Sequence, residues 1–270
     1  MAGLIVNIKK RPDRDGSVVK VTPESAGWEY VGFEVLRLAD GRTVERRADA
    51  VEVCLVVLSG YCNVSTSDGD EWRGIGERDS VFEGQPYAVY LPPGTDYGIE
   101  AVTNLELAVA SAPAVGGTIP LDPLLIKPED IEVEMRGSGK MERRIHPILM
   151  DDRPAERLLV VEVITPDGHW SSYPPHKHDQ DDLPNESYLE ETYYHKIQPV
   201  NGFAFQSVYT EDRSLDETMT VRDDDTVLVP RGYHAVSAPP GYDLYYLNVM
   251  AGPVREWKIK NDPDHEWLLG

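Results

Sequence analysis

The stretches HKIQPVNGFAFQSV (residues 195–208) and VLVPRGYHAVSA (residues 227–238) each set a glycine-bearing turn between two short apolar runs. The first half of the chain carries the same pair, CLVVLSGYCNV (54–64) and then VYLPPGTDYGIEAV (89–102). In both halves the order is strand–Gly–strand, a charged stretch, then strand–Pro-x-Gly–strand. From Gly60 to Pro92 is 32 positions, and from Gly202 to Pro230 is 28. Near-equal spacing of the same punctuation predicts two copies of one β-barrel.

The rest of the chain agrees. Apolar runs at 51–58, 87–91, 105–110, 158–164, 202–209, 226–229 and 244–250 are rich in Val, Tyr, Phe and Leu and end at Gly, Pro or Asp. Runs this short read as strands, and none sustains a helical period over several turns. Gly and Pro supply 43 of the 270 residues, as a turn-dense all-β fold requires. The join is expected in 112–139, where SAPAVGGTIPLDP and RGSGK concentrate Pro, Gly and small residues. We therefore expect a first barrel over residues 1–118, a linker over 119–139 and a second barrel over 140–270. A terminal strand crossing from one barrel to the other would soften these limits.

Composition narrows the partners. The chain has 47 Asp and Glu against 26 Lys and Arg, a formal charge of −21. Such a surface repels nucleic-acid phosphates and anionic lipid. An anionic substrate would need a local cationic spot. The two cysteines, Cys54 and Cys62, lie in one apolar stretch without zinc-finger spacing. They read as core thiols of a reduced, cytoplasmic protein. The apolar run in MAGLIVNIKK is too short for a signal peptide or a membrane span.

All seven histidines fall after residue 145, so the first barrel is expected to be scaffold, interface or lid. The chemistry concentrates in PPHKHDQDDLPNESYLEETYYHKI (174–197). On an extended strand His176 and His178 point to one face. Glu191, Tyr193 and His195 share a face by the same alternation. His234 follows the Pro-Arg-Gly turn at the start of a strand. A lone His-x-His is equally consistent with a solvated loop. Joined by Glu191 and His234 it makes an N/O donor set suited to zinc, iron, manganese, nickel or cobalt. Tyr193 and Tyr246 could offer phenols to a substrate, or simply pack. Arg213 and Arg231 flank the site in sequence and could pair a carboxylate. Lys177 alternates away from the ligands and is expected to be exposed.

The motifs GHWSSYPPHKHD (168–179), ESYLEETYYHKI (186–197), GFAFQSVYTEDRSLDE (202–217) and VLVPRGYHAVSAPPGYDLYYLNVMAGP (227–253) resemble the 5-deoxy-glucuronate isomerases of myo-inositol catabolism. ESAGWEYVGF, GERDSVF and YLPPG extend the resemblance into the first half. It implies a bicupin, two tandem cupin (jelly-roll-like) barrels, related to the uronate ketol-isomerases. It also implies one divalent metal ion, zinc foremost, on His176, His178, Glu191 and His234. Parity alone does not choose between Glu190 and Glu191; the resemblance favours Glu191. The glycine expected six residues before Pro230 is Asp224.

The implied reaction converts 5-deoxy-D-glucuronate, a small sugar acid, to 2-deoxy-5-keto-D-gluconate. A proton leaves the carbon beside the aldehyde and one arrives at the carbonyl carbon, or a hydride shifts between them. His195, at a near-neutral pKa, and Glu190 are the candidate bases, with Tyr193 alongside. Arg231, Arg213 and Tyr246 are candidate substrate contacts, and a homo-oligomer is expected. A cupin dioxygenase and a non-catalytic sugar-binding bicupin are the competing readings, because one fold hosts many chemistries.

Overall fold

The computed structural model describes residues 3–116 and 120–270. The chain forms two compact β units, Ile8–Glu132 with Pro147–Val160, and Met1–Asn7 with Val133–His146 and Val161–Gly270. The division falls inside the strands Arg143–Leu149 and Leu159–Thr165 rather than in a linear linker. The limit expected at 118/119 lies outside the described residues. A terminal strand does cross: Ile5–Val6 pairs with Val227 and Thr226 of the second unit.

The first unit, free of histidine, has a six-stranded and a four-stranded sheet. The larger runs Leu124–Ile126, Ala88–Leu91, Val51–Ser59, Leu105–Pro113, Gly32–Leu38, Ser17–Val21. The smaller runs Thr43–Arg46, Tyr97–Ala101, Cys62–Thr66, Glu71–Ile75. Val51–Ser59 is central and buried on both faces, which its near-continuous apolar run anticipates. Val53, Leu55 and Val57 pack with Val89, Leu91, Leu107 and Ile99 in the core. On the opposite face of that strand Glu52 is wholly buried. Its carboxylate accepts from the Tyr90 hydroxyl at 2.8 Å and from the backbone N–H groups of Glu156, Arg157 and Leu158 at 2.7, 2.6 and 2.7 Å. Cys54 and Cys62 are free and buried, and burial pushes the Cys62 thiol up to about 12. They are core thiols, as read from the sequence.

The second unit carries the histidines. Its seven-stranded sheet runs Ile5–Val6, Thr226–Val229, Glu190–Gln198, Asp243–Ala251, Leu159–Thr165, Arg143–Leu149, Glu134–Arg136. Its five-stranded sheet runs Asp216–Val221, Ala204–Tyr209, Tyr233–Ser237, Trp170–Lys177, Lys260–Asn261. Residues from both sheets, among them Tyr193, Ile197, Tyr246, Val208 and Val236, meet in one core. The repeat's turn glycines need their freedom: Gly60 and Gly232 have φ of +86° and +91°, where a Cβ would strike the carbonyls of Asn104 and Tyr209. Asp224, in place of glycine, also sits at φ +68°. Its carboxylate accepts from Tyr194 at 2.7 Å and Lys196 at 2.8 Å, which offsets the strain of that backbone. Among the described residues no helix is long and apolar enough to cross a membrane.

Candidate metal centre

His176 is the penultimate residue of the Trp170–Lys177 strand and pairs directly with His234 of Tyr233–Ser237. His178 lies two residues on, so strand alternation returns its ring to the same side. The three imidazoles are 9%, 3% and 0% exposed for His176, His178 and His234, and their ligand atoms lie within 4.8 Å of one another. Glu191 reaches them from the Glu190–Gln198 strand. Its Oε2 is 3.0 Å from His178 Nε2 and 3.2 Å from His234 Nε2.

The outer nitrogens decide what this cluster can hold. His178 Nδ1 is 3.0 Å from the Leu189 carbonyl, and His234 Nδ1 is 3.2 Å from the Gly232 carbonyl. A carbonyl only accepts, so each Nδ1 carries the proton. Both Nε2 lone pairs then face the Glu191 carboxylate. Lone pairs converging on a carboxylate need a cation or added protons between them. His234 Nε2 is buried without a hydrogen-bond partner, the mark of a donor atom awaiting one. Burial, then the imidazoles of His234 and His178, hold His176 well below the usual histidine range. Burial opposes the charge of Glu191, yet its contacts with His178 and His234 bring the carboxyl down to about 2. Three imidazole nitrogens and a carboxylate are a donor set that fits a divalent transition metal.

A layer of hydroxyls borders the cluster. The Tyr193 ring is 5.7 Å from that of His234 and 5.0 Å from that of Tyr246. Ser172 Oγ is 3.0 Å from the Tyr193 hydroxyl and 3.4 Å from that of Tyr246, which also contacts Ser171 Oγ. Ser172 holds this position at φ +49°, a conformation costly for a non-glycine residue. Burial raises both phenols, Tyr193 further through the nearby Glu191.

The sequence profile of the KduI/IolB family matches residues 5–268. The chain belongs to the KduI/IolB family. Relatives include the 5-deoxy-glucuronate isomerase of Geobacillus thermodenitrificans strain NG80-2, 60% identical over 259 residues, 96% of this chain and 93% of that one. The 5-deoxy-glucuronate isomerase of Bacillus subtilis strain 168 is 49% identical over 254 residues, covering 93% and 92%. An IolB-like protein from Salmonella typhimurium LT2, solved by crystallography, superposes with a TM-score of 0.95 at 46% identity and full coverage of both chains. The oxalate decarboxylase of Lactobacillus farciminis in a formate complex superposes at 0.69 with 13% identity, covering 97% of this chain and 89% of that one; it shares the bicupin fold alone.

Within this KduI/IolB chain the remaining expected residues divide sharply. His195 shares the inward face with Glu191 and Tyr193, and its ring lies 6.0 Å from each of Tyr193 and Tyr246. The near-neutral pKa expected of it is not found. Burial lowers His195 to about 4, against a raising hydrogen bond to Gln206 Oε1 at 2.8 Å. That bond assigns the proton to Nε2 and leaves Nδ1 buried without a partner. Glu190 is buried on the opposite face of the strand, across from Ala251. Arg213 is exposed over the Tyr209 ring at 4.1 Å and bonded to Asp216; exposed Arg231 reaches Ser214 Oγ at 3.4 Å. Neither touches the histidine triad, Tyr193 or Tyr246.

Lys177 corrects another expectation. It is 5% exposed, not solvated, because Asp179 Oδ1 at 2.6 Å and Glu186 Oε1 at 3.0 Å compensate its charge. Glu186 also accepts from the backbone of Asp179 and Gln180, fixing the chain just beyond His178. Ser172, Gln206 and this network were missed in the sequence. Ser172 lies on the strand of His176, but the register shift between Ser171 and His176 breaks the parity that would have linked them.

Proposed function

We propose that this chain converts 5-deoxy-D-glucuronate to 2-deoxy-5-keto-D-gluconate, an aldose–ketose isomerisation of inositol catabolism, at a centre formed by His176, His178, Glu191 and His234. The observation that carries the site is the convergence of two Nδ1-anchored imidazoles on the Glu191 carboxylate, with His234 Nε2 unpartnered. These four residues would hold a divalent ion, zinc being the first to test, which would supply Lewis acidity to the reaction. The chain's own groups do the rest. Tyr193 and Tyr246 have raised pKa values and stay protonated, so their hydroxyls donate to substrate oxygen as negative charge builds. Ser171 and Ser172 orient those hydroxyls. His195 is neutral at pH 7, and its free Nδ1 takes the proton from the carbon beside the aldehyde and returns it to the former aldehyde carbon. The hydroxyl proton moves to the aldehyde oxygen in the same exchange, so the product is an isomer. Glu190 faces the other side and takes no proton. The histidine-free unit serves as scaffold, and the assembly is a homo-oligomer in the cytoplasm.

Following the ketose by NMR, with oxygen uptake recorded in parallel, tests this function. Product without oxygen consumption is the expected result; oxygen consumption points to a dioxygenase, and no turnover to a binding protein. The role of His195 has its own test. A base of pKa about 4 lies far from the optimum at neutral pH, so its loss falls at the low end of general-base effects. His195→Gln should retain its metal and lower kcat by about 10²-fold. In deuterated water the wild-type product should carry solvent deuterium at the former aldehyde carbon. Unchanged kcat in the loaded variant removes His195 from the mechanism, and a product free of deuterium replaces proton transfer with a hydride shift.

A further inference from the structure

A uronate carries a charge at the end remote from its aldehyde, and a chain of net charge −21 must hold it against its own field. Arg143 is placed for that. It lies two residues before Ile145 on one strand, so strand alternation puts its side chain on the face that Ile145 turns to the core with Tyr193 and Tyr246. Its guanidinium is half-buried and lies within electrostatic reach of the Tyr246 and Tyr193 phenols.

Its partners are few. Among the described residues its hydrogen bond runs from Nη1 to the Met141 carbonyl at 3.0 Å. Among the described residues no carboxylate pairs with it, although the chain has 47 acidic residues. Directly across the strand pair stands Arg136, which repels it. Arg136 is already satisfied by Glu134 at 2.7 Å and by the Trp257 ring, 5.3 Å from its guanidinium carbon. Arg143 therefore combines partial desolvation, a like-charged neighbour and no counter-ion. Burial and that neighbour weaken its hold on its proton. Such a guanidinium favours an incoming carboxylate, which it can meet with two parallel N–H donors.

We propose that Arg143 binds the substrate's distal carboxylate and selects uronates over neutral sugars. The rings of His234, Tyr193 and Tyr246 follow one another at 5.7 and 5.0 Å, and Arg143 is within electrostatic reach of the last, so aldehyde and carboxylate ends would lie at opposite ends of one site. This rests on the isomerase reading above. The test compares 5-deoxyglucuronate with 5-deoxyglucose, which has a hydroxymethyl group in place of the carboxylate. Wild-type enzyme should prefer the acid. Arg143→Gln should lose about 10- to 100-fold in kcat/KM on the acid, mainly through KM, with metal content and activity on 5-deoxyglucose nearly unchanged. Arg143→Lys, which keeps the charge and loses the fork, should fall between and guards against a folding defect in the glutamine variant. Equal losses on both sugars, or an undiminished preference in Arg143→Gln, overturn the assignment. Absence of turnover in the wild type would instead overturn the isomerase reading.

Discussion

Replacing His176 and His234 together by alanine leaves a folded protein with close to no bound metal and lowers turnover by at least about 10³-fold. Both residues supply ring nitrogens from adjacent, directly paired positions, so the double change removes two donors from one side of the cluster. Glu191 and His178 remain, and a single carboxylate–imidazole pair is too few donors for a tight transition-metal site. The fold should survive. His176 is at the margin of burial, and the surrounding strands are held by backbone ladders that the substitution leaves intact. Metal analysis of dialysed protein, circular dichroism and turnover with 5-deoxyglucuronate read the three outcomes separately. A double variant that keeps one ion per chain would refute the ligand assignment.

The second large effect lies in the unit without histidine. Glu52→Ala should destabilise the histidine-free unit by about 4 kcal/mol, because three backbone N–H groups and a phenol lose one buried acceptor. Each orphaned donor costs roughly 1–3 kcal/mol, and water entering the small cavity recovers part of the sum. Glu52→Gln keeps one acceptor oxygen but turns an NH₂ toward the N–H groups, so it should fall between. Hydrogen exchange locates the damage: the amides of residues 156–158 should lose protection first, before the core amides of Val53–Val57. Wild-type protection at 156–158 in the alanine variant would show that those amides have another acceptor.

Both experiments mark the limit of what the sequence reveals. Strand parity placed His176 with His178 and Glu191 with Tyr193 and His195, because a period of two is dictated by the backbone itself. The two-barrel architecture was legible for a related reason: Gly60 and Gly232 punctuate turns that no other residue fits. Glu52 was not legible. It sits in VEVCLVVLS as one acid in an apolar run, and the backbone amides that bind it lie about a hundred residues away. Lys177 failed as an exposed residue for a similar reason: alternation turned it from the triad, but Asp179 and Glu186 wait on that side. The pKa of His195 depends on burial that no local pattern encodes. Arg143 stands among RGSGKMERR, where it looks like any other surface cation. What decides its role is the company it lacks.

The assignment of residues 147–160 to the unit that begins at Ile8 bears on how the chain is made. A ribosome that has released the first 132 residues has not yet delivered the amides that Glu52 requires. The nascent first barrel must therefore wait with a charged group uncapped, while Ile5–Val6 waits longer still for Thr226–Val229. Neither barrel is a contiguous gene segment. Cutting the coding sequence near residue 140 would yield two fragments, each missing a piece that the other carries.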